Sequence, residues 1–416
     1  MKVKFITLGC KVNQYETQGI QEEFLSLGVV PTKNKADIYV INTCSVTKRA
    51  DSKSREAILS AKKENPASIV VVCGCLAQLN SDDIQNLGVD YIVPQEKKHL
   101  LASIVLGNNK AQEKAGSPQD IWSLSITNFF NYRAFIKVQD GCDHFCTFCK
   151  IPHLRGPSRS RDISSILAEI KRISEKHREI VLCGVNLGLY GRDLKPKLNL
   201  NLLVEEILKI KSLGRLRLSS LEPLFVEEEL FSFLKNEKFC PHFHFPFQYG
   251  DDTILKSMNK KETVSMYCQK VNQARAVRSG IAISCDIMVG FPDETDETFK
   301  NTVDFIKTVK PMRMHIFTFS PREKTEFASH TIKDKKTIRN RYNTLNDMAK
   351  QLSREYIEQF IGKELHMVAE EYKNGLLIGC TENYLKVHLR EKVNLGKIVP
   401  VEIDSFSNGK IAAHLL

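Results

Sequence analysis

Apolar residues along this chain fall into short continuous runs, separated by stretches in which they recur at helical spacing. Val3 to Leu8 is an apolar, β-rich run, and Thr17 to Leu27 carries Ile20, Phe24 and Leu27 on one helical face. Asp37 to Asn42 (DIYVIN) is the next strand, followed by a basic helix from about Val46 to Lys63. Ile69 to Val72 and Tyr91 to Val93 are further strands, and His99 to Leu106 is a closing helix. Short buried strands separated by helices predict a parallel α/β sheet over residues 1–106. In such a sheet, ligands gather at the carboxyl ends of the strands.

Residues 107–128 are polar, contain Gly and Pro and lack a period, which predicts a linker. Tyr132 to Gln139 (YRAFIKVQ) is then a strand, and strand and helix alternate again. Helices are expected at about 162–176, 201–210, 226–235, 262–279 and 295–308. Strands are expected at 179–182, 214–219, 242–245, 281–289 and 313–319. This repetition predicts a barrel or part of one over residues 129–360, with function at its carboxyl ends. A basic helical stretch, Lys333 to about Phe360, closes that region. Residues 361–416 change to short strands: His366–Glu370, Leu376–Cys380, Tyr384–Leu389, Ile398–Ile403 and Lys410–Leu415. Asn374-Gly375 and Asn408-Gly409 supply hairpin chemistry between them. Five such strands are consistent with a small OB-like barrel or with a small sandwich.

Composition narrows the class. At 416 residues the chain calls for two or three domains, and 42% hydrophobic with 26% charged residues is that of a globular protein. No run of 18 apolar residues suggests a membrane span. Thr7-Leu8-Gly9-Cys10 looks superficially like a lipoprotein cleavage site, but the apolar stretch before it is too short for a signal peptide. The expected location is the cytoplasm, where clustered cysteines point to metal or catalysis before disulfides. The formal charge of +11 is uneven: +2 over residues 1–106, zero over 361–416 and +9 between them. Such an excess attracts polyanions, nucleic acid first.

The candidate chemistry is in the cysteines. Cys142, Cys146 and Cys149 lie in one run, C-x3-C-x2-C, directly after a strand. Thiolates this close can hold an iron–sulfur cluster, and three ligands leave one corner of a four-iron cluster open. Zinc is the competitor, with His144 or His153 as a fourth ligand. Cys10, Cys44 and Cys75 fall at the ends of the first three expected strands, and neighbouring strands would bring them together as a second three-thiolate site. Cys73 competes with Cys75 only if its strand continues through Gly74.

The stretch from Cys142 to Arg161 (CDHFCTFCKIPHLRGPSRSR) resembles the signature of the radical S-adenosylmethionine methylthiotransferases. Also similar to that family are Thr7 to Thr17 (TLGCKVNQYET), Asn42 to Thr47, Gly74 to Gln78, Arg217 to Pro223, Asp286 to Pro292 and Phe319 to Arg322. The form Gly-Cys-Lys-Val-Asn-Gln most resembles the branch acting on N6-threonylcarbamoyladenosine in tRNA. The tail resembles the family's TRAM module, an RNA-contacting barrel. The resemblance implies a Rossmann- or flavodoxin-like first domain, a partial TIM-type radical SAM barrel and the TRAM barrel. It implies two 4Fe-4S clusters, one on Cys142, Cys146 and Cys149 and one on Cys10, Cys44 and Cys75. The first would bind S-adenosyl-L-methionine at its open iron and, on reduction, release a 5′-deoxyadenosyl radical that takes hydrogen from carbon 2 of the adenine. The second would carry the sulfur to be inserted, with another S-adenosylmethionine as methyl donor.

By the same resemblance Phe148 packs near the cofactor adenine and Asp286 to Pro292 touches adenine or ribose. Gly184 and Asn186, at a strand end, could cradle the cofactor's amino group. Arg155, with Arg159 and Arg161, is of a type that pairs with carboxylate or phosphate. Expected partners are the tRNA anticodon stem-loop and a reductant such as flavodoxin or ferredoxin, with no membrane and no sulfur source readable. Tyr249, Gln95 and Asp293 depart from the family pattern, and the neutral tail puts RNA affinity on the middle domain and the basic helix. The alternatives are a methylthiotransferase for isopentenyladenosine or for a ribosomal-protein aspartate and, from another class, a zinc-stabilised RNA-binding protein without catalysis.

Overall fold

The computed structural model describes residues 1–78, 81–107, 121–332 and 334–416. The chain divides into two compact units. One comprises Met1–Phe130 with Asp140–Asp143 and Cys149–Pro157, the other Asn131–Gln139, His144–Phe148 and Ser158–Leu416.

In the first unit five parallel strands, β1 (Lys2–Thr7), β2 (Val30–Pro31), β3 (Ile38–Thr43), β4 (Ile69–Gly74) and β5 (Tyr91–Ile92), form a sheet of order β2-β1-β3-β4-β5. This is the flavodoxin-like order, whose topological switch lies between β1 and β3. All six residues of β3 are buried, as a strand covered on both faces requires. Val3, Ile20, Phe24 and Val71 fill one side of the sheet, and Tyr39, Ile41, Ile58 and Val72 the other.

Two expectations change here. Helix α1 spans Lys11–Ser26, starting well before Thr17. Its first turns bury polar residues (Asn13, Glu16, Thr17 and Gln18), so apolar spacing could not reveal them. The expected linker, 107–128, is only partly within the described residues. Its end is packed: Leu124 and Ile126 are buried, and the Tyr15 hydroxyl donates to the Leu124 carbonyl at 2.9 Å. Helix α2 (Lys48–Glu64) matches its expected span, capped by the Thr47 hydroxyl accepting from the Ala50 N–H.

In the second unit, β6 (Arg133–Lys137) leads to the cysteine loop, flanked by the short strands β7 (Gln139–Asp140) and β8 (Arg159–Ser160). β9 (Glu179–Cys183) and β10 (Arg215–Leu218) join β6 in one parallel sheet. β11 (His242–Gln248), β12 (Ala282–Val289) and β13 (Arg313–Thr318) form another. Parallel bridges Leu216 to Phe239 and Ser220 to His244 connect the two sheets into a six-stranded open barrel. β11 runs past its expected end through Pro246, with a register shift between Phe245 and Gln248. A bulge is where a strand tolerates proline.

The helix Lys335–Glu358 follows, then a closed barrel of β14 (Glu364–Lys373), β15 (Leu376–Thr381), β16 (Lys386–Leu389), β17 (Ile398–Ser407) and β18 (Lys410–Leu415). The tail is therefore a barrel and not a sandwich. Asn374-Gly375 and Asn408-Gly409 all have positive φ, the geometry that two-residue hairpin turns demand.

The small barrel docks at the amino ends of the larger one's strands. Arg133, Glu179 and Arg215 share a rung, with Arg217 one strand repeat further. Arg215 donates to the carbonyls of His366 (2.7 Å) and Cys380 (2.8 Å), and Arg217 to those of Thr381 and Glu382 (both 3.0 Å). Tyr384, at φ 69°, stacks on His242 with ring centroids 4.3 Å apart. Burial works against ionisation of Glu179, but Arg215, Arg217 and Arg133 outweigh it and hold its carboxyl down at about 2. In barrels of this kind the amino ends serve stability and the carboxyl ends chemistry.

Candidate functional site

The upstream cysteines are gathered by sheet topology. Cys10 caps the amino end of α1 just after β1, Cys44 follows β3, and Cys75 follows β4, on three adjacent strands. The Cys75 N–H donates to the Thr43 carbonyl at 3.0 Å, fixing the ends of β3 and β4 together. Gly9, at φ +93°, lies so close to Cys44 that an added Cβ would stand 2.9 Å from its sulfur. Gly74, at φ +90°, would put a Cβ 2.4 Å from the Thr43 carbonyl oxygen. Both positions therefore require glycine. Strand alternation holds through Cys73, which enters the apolar core with Val3, Phe24 and Val71, and the Gly74 conformation breaks it before Cys75.

Burial raises the Cys44 thiol to about 11, and Cys75 and Cys10 add to the rise. Thiolates that oppose one another in a buried site are a donor set suited to a cation, whose charge removes the conflict. Among the described residues, no group of three or more His, Cys, Asp or Glu side chains is already closed to metal-ligating geometry. The fold places the three thiols at the ends of adjacent strands, and the residues fit a cluster by donor type.

The C-x3-C-x2-C loop is shaped locally, and all three of its cysteines are half-buried. In the first unit, the Cys142 N–H donates to the Gly156 carbonyl at 3.1 Å, and a Cβ on Gly141 (φ +72°) would stand 1.9 Å from the Pro157 carbonyl oxygen. In the second, Thr147 donates through its N–H to Met258 (3.2 Å) and through its hydroxyl to Ser257 (3.0 Å). Asn259 donates to the Phe145 carbonyl at 2.8 Å. Phe145 is exposed, whereas Phe148 is half-buried.

The carboxyl rim of the open barrel carries unused acceptors. Asn186 Oδ1 after β9, Ser219 Oγ after β10, Gln248 Oε1 ending β11 and Ser320 Oγ after β13 are buried and lack a hydrogen-bond partner among the described residues. Buried polar atoms are rarely left so, and these four leave acceptors open at the carboxyl ends of the barrel strands. Sequence reasoning reached Asn186 and missed the other three, although each lies at or just beyond an expected strand end.

Two of the residues expected at the cofactor have protein partners. At Gly184 an added Cβ would meet the Gln139 side chain, 2.9 Å from its Oε1, so this glycine makes room for a protein group. That oxygen accepts the Asn186 N–H at 2.8 Å and so orients Asn186. Arg155 lies among protein groups. Its side chain is 1% exposed and pairs with Asp140 (2.9 Å) and Glu16 (3.1 Å). Arg161 is likewise buried against Glu169. Asn13, Glu16 and Asp140 were not anticipated; their signal was the spacing of Cys10, Asn13 and Glu16, three apart on one helical face.

Comparison with known proteins agrees with this geometry. Residues 2–93 match the family described as Uncharacterized protein family UPF0004, and residues 136–306 match the Radical SAM superfamily. The threonylcarbamoyladenosine tRNA methylthiotransferase MtaB of Bacillus subtilis is 34% identical over 96% of this chain and 93% of its own length. The MtaB of Aquifex aeolicus is 37% identical over 97% of this chain and 100% of its own. A tRNA-2-methylthio-N(6)-dimethylallyladenosine synthase of Fervidobacterium nodosum is 29% identical over 99% of this chain and 98% of its own. In fold, the chain resembles the radical S-adenosylmethionine methyltransferase TsrM from Kitasatospora setae, with TM-score 0.56 and 14% identity over 79% of this chain and 77% of that one. The chain belongs to the radical S-adenosylmethionine methylthiotransferases, in the branch of the threonylcarbamoyladenosine tRNA enzymes.

Proposed function

We propose that this enzyme inserts a methylthio group at carbon 2 of N6-threonylcarbamoyladenosine, at position 37 beside the tRNA anticodon. What supports the reading is that one chain carries two sets of three cysteines of different construction. One is a local loop, and the other is assembled at the flavodoxin-type switch point of a parallel sheet. Cys142, Cys146 and Cys149 would hold one 4Fe-4S cluster, and Cys10, Cys44 and Cys75 the other. When bound, the clusters and S-adenosylmethionine supply one-electron cleavage of a sulfonium and the sulfur to be inserted.

The chain's own groups bind and orient. Asn186, held by Gln139, presents its side-chain oxygen for an ammonium donor such as the methionyl amine, and Ser219, Gln248 and Ser320 offer further acceptors around the rim. Phe148 screens the loop from water. The +9 excess of the middle region supports a tRNA substrate, and a small cytoplasmic electron carrier of the flavodoxin or ferredoxin type would supply the electrons. No helix among the described residues is long and apolar enough to cross a membrane.

Nucleoside mass spectrometry of tRNA from a deletion strain tests the substrate. Loss of 2-methylthio-N6-threonylcarbamoyladenosine, restored by the gene and not by its Cys146→Ala form, is expected. Its persistence alongside loss of a methylthiolated isopentenyladenosine would refute the assignment.

A further inference from the structure

Arg155 belongs to a buried ion cluster whose partners lead to the upstream cysteines. The Asn13 amide is fully used: its Nδ2 donates to the carbonyls of Leu8 (2.8 Å) and Thr43 (2.9 Å), and its Oδ1 accepts from Arg155 at 2.7 Å. The orientation of the amide follows, since carbonyls only accept and a guanidinium only donates. Leu8 stands two residues before Cys10, and Thr43 immediately before Cys44. The Thr43 carbonyl also accepts the Cys75 N–H. One side chain thus touches the backbone beside two of the three cysteines and shares an acceptor with the third.

Behind Asn13, Arg155 is anchored by Asp140 at 2.9 Å and by Glu16 at 3.1 Å, while Lys98 binds the other oxygen of Glu16 at 2.6 Å. Two cations and two carboxylates cancel, so the cluster can be buried. Asp140 and Arg155 lie on either side of the C-x3-C-x2-C loop in sequence, and Cys142 and Cys149 belong to the same compact unit as Cys10, Cys44 and Cys75.

We propose that Arg155 and Asn13 form a positioning pair that sets the geometry and the reduction potential of the three-cysteine site at the strand ends. Arg155 keeps Asn13 in place, Asn13 keeps the loops bearing Cys10 and Cys44 in place, and removing this one cation from a neutral ion cluster would leave a net negative charge that opposes reduction of the site. The proposal rests on the methylthiotransferase reading and adds to it a group that touches neither substrate nor cofactor.

The test uses full-length protein, reconstituted anaerobically with iron and sulfide, in a Cys142→Ala/Cys146→Ala/Cys149→Ala background that can load only the upstream site. Iron content and an EPR-monitored redox titration are read. Arg155→Met should lower iron affinity by about tenfold or more, the usual effect of losing a group that orients metal ligands. It should also move the midpoint to more negative potential, and Arg155→Lys should return the potential towards that of the parent. Asn13→Ser leaves the ion cluster in place and should lower iron affinity alone, which keeps the proposal open to test if Arg155→Met does not fold. Parental iron content and midpoint in Arg155→Met, or full loading of Asn13→Ser, would overturn the proposal. A background that binds no iron at all would instead overturn the two-site reading.

Discussion

The two three-cysteine sites differ in what holds them. The C-x3-C-x2-C loop is compact in sequence: in the first unit Gly141 and Gly156 close its ends, and in the second Thr147 and Phe145 are tied to Ser257, Met258 and Asn259. The upstream site has no such local frame. Its cysteines follow β1, β3 and β4, neighbours in one parallel sheet, and Gly9 and Gly74 let the strand ends approach. A local site can survive strain elsewhere in the fold. A site made of strand ends inherits every disturbance of the sheet, which is why buried polar residues on α1 are spent on securing it.

The largest effect that separates the sites is chemical. Cys146→Ala should abolish S-adenosylmethionine cleavage and product while leaving about half of the bound iron, as measured by iron analysis and 5′-deoxyadenosine release.

Glycine replacements come next. Gly74→Ala forces a Cβ against the Thr43 backbone at positive φ, at a cost of about 2–4 kcal/mol, and should empty the upstream site while 5′-deoxyadenosine release persists. Gly141→Ala should do the converse. Equal loss at both sites in either variant would mean that the two are not independently built.

A third change tests the amino end of the open barrel, remote from either site in sequence and role. Glu179→Ala leaves Arg215 and Arg217 buried without their carboxylate and should cost about 3–5 kcal/mol of stability in urea unfolding. Because this carboxyl is held below its ordinary value, its stabilisation is complete above about pH 4.5 and disappears as pH falls towards 2. Acid should therefore destabilise the parent over that window and the Glu179→Ala protein less. The smallest effect belongs to Asn374→Ala, at φ 52° in an exposed hairpin: about 1 kcal/mol, with cofactor cleavage unchanged.

Much of this was legible in the residues. Strand and helix order, the strand-end placement of Cys10, Cys44 and Cys75, and the hairpin turns at Asn374 and Asn408 all follow from short-range patterns. What escaped did so for physical reasons. The first turns of α1 are buried through polar contacts, so apolar spacing placed the start of the helix only at Thr17. Arg155 has the right chemistry for a ligand carboxylate, but its carboxylates come from Glu16 and Asp140, more than a hundred residues apart in sequence. Pro246 argued for ending β11 early, and only the bulge at Gln248 shows how the strand continues. Leu124 and Ile126 carry no period and so read as linker, although they are buried.

The central claim is a division of labour, with radical generation at the loop and sulfur supply at the strand ends. Cys44→Ala enzyme, given S-adenosylmethionine, a reductant and tRNA bearing N6-threonylcarbamoyladenosine, measures it directly. The account predicts that 5′-deoxyadenosine is still released and that no 2-methylthio nucleoside forms; full formation of the methylthio product by this variant would contradict it.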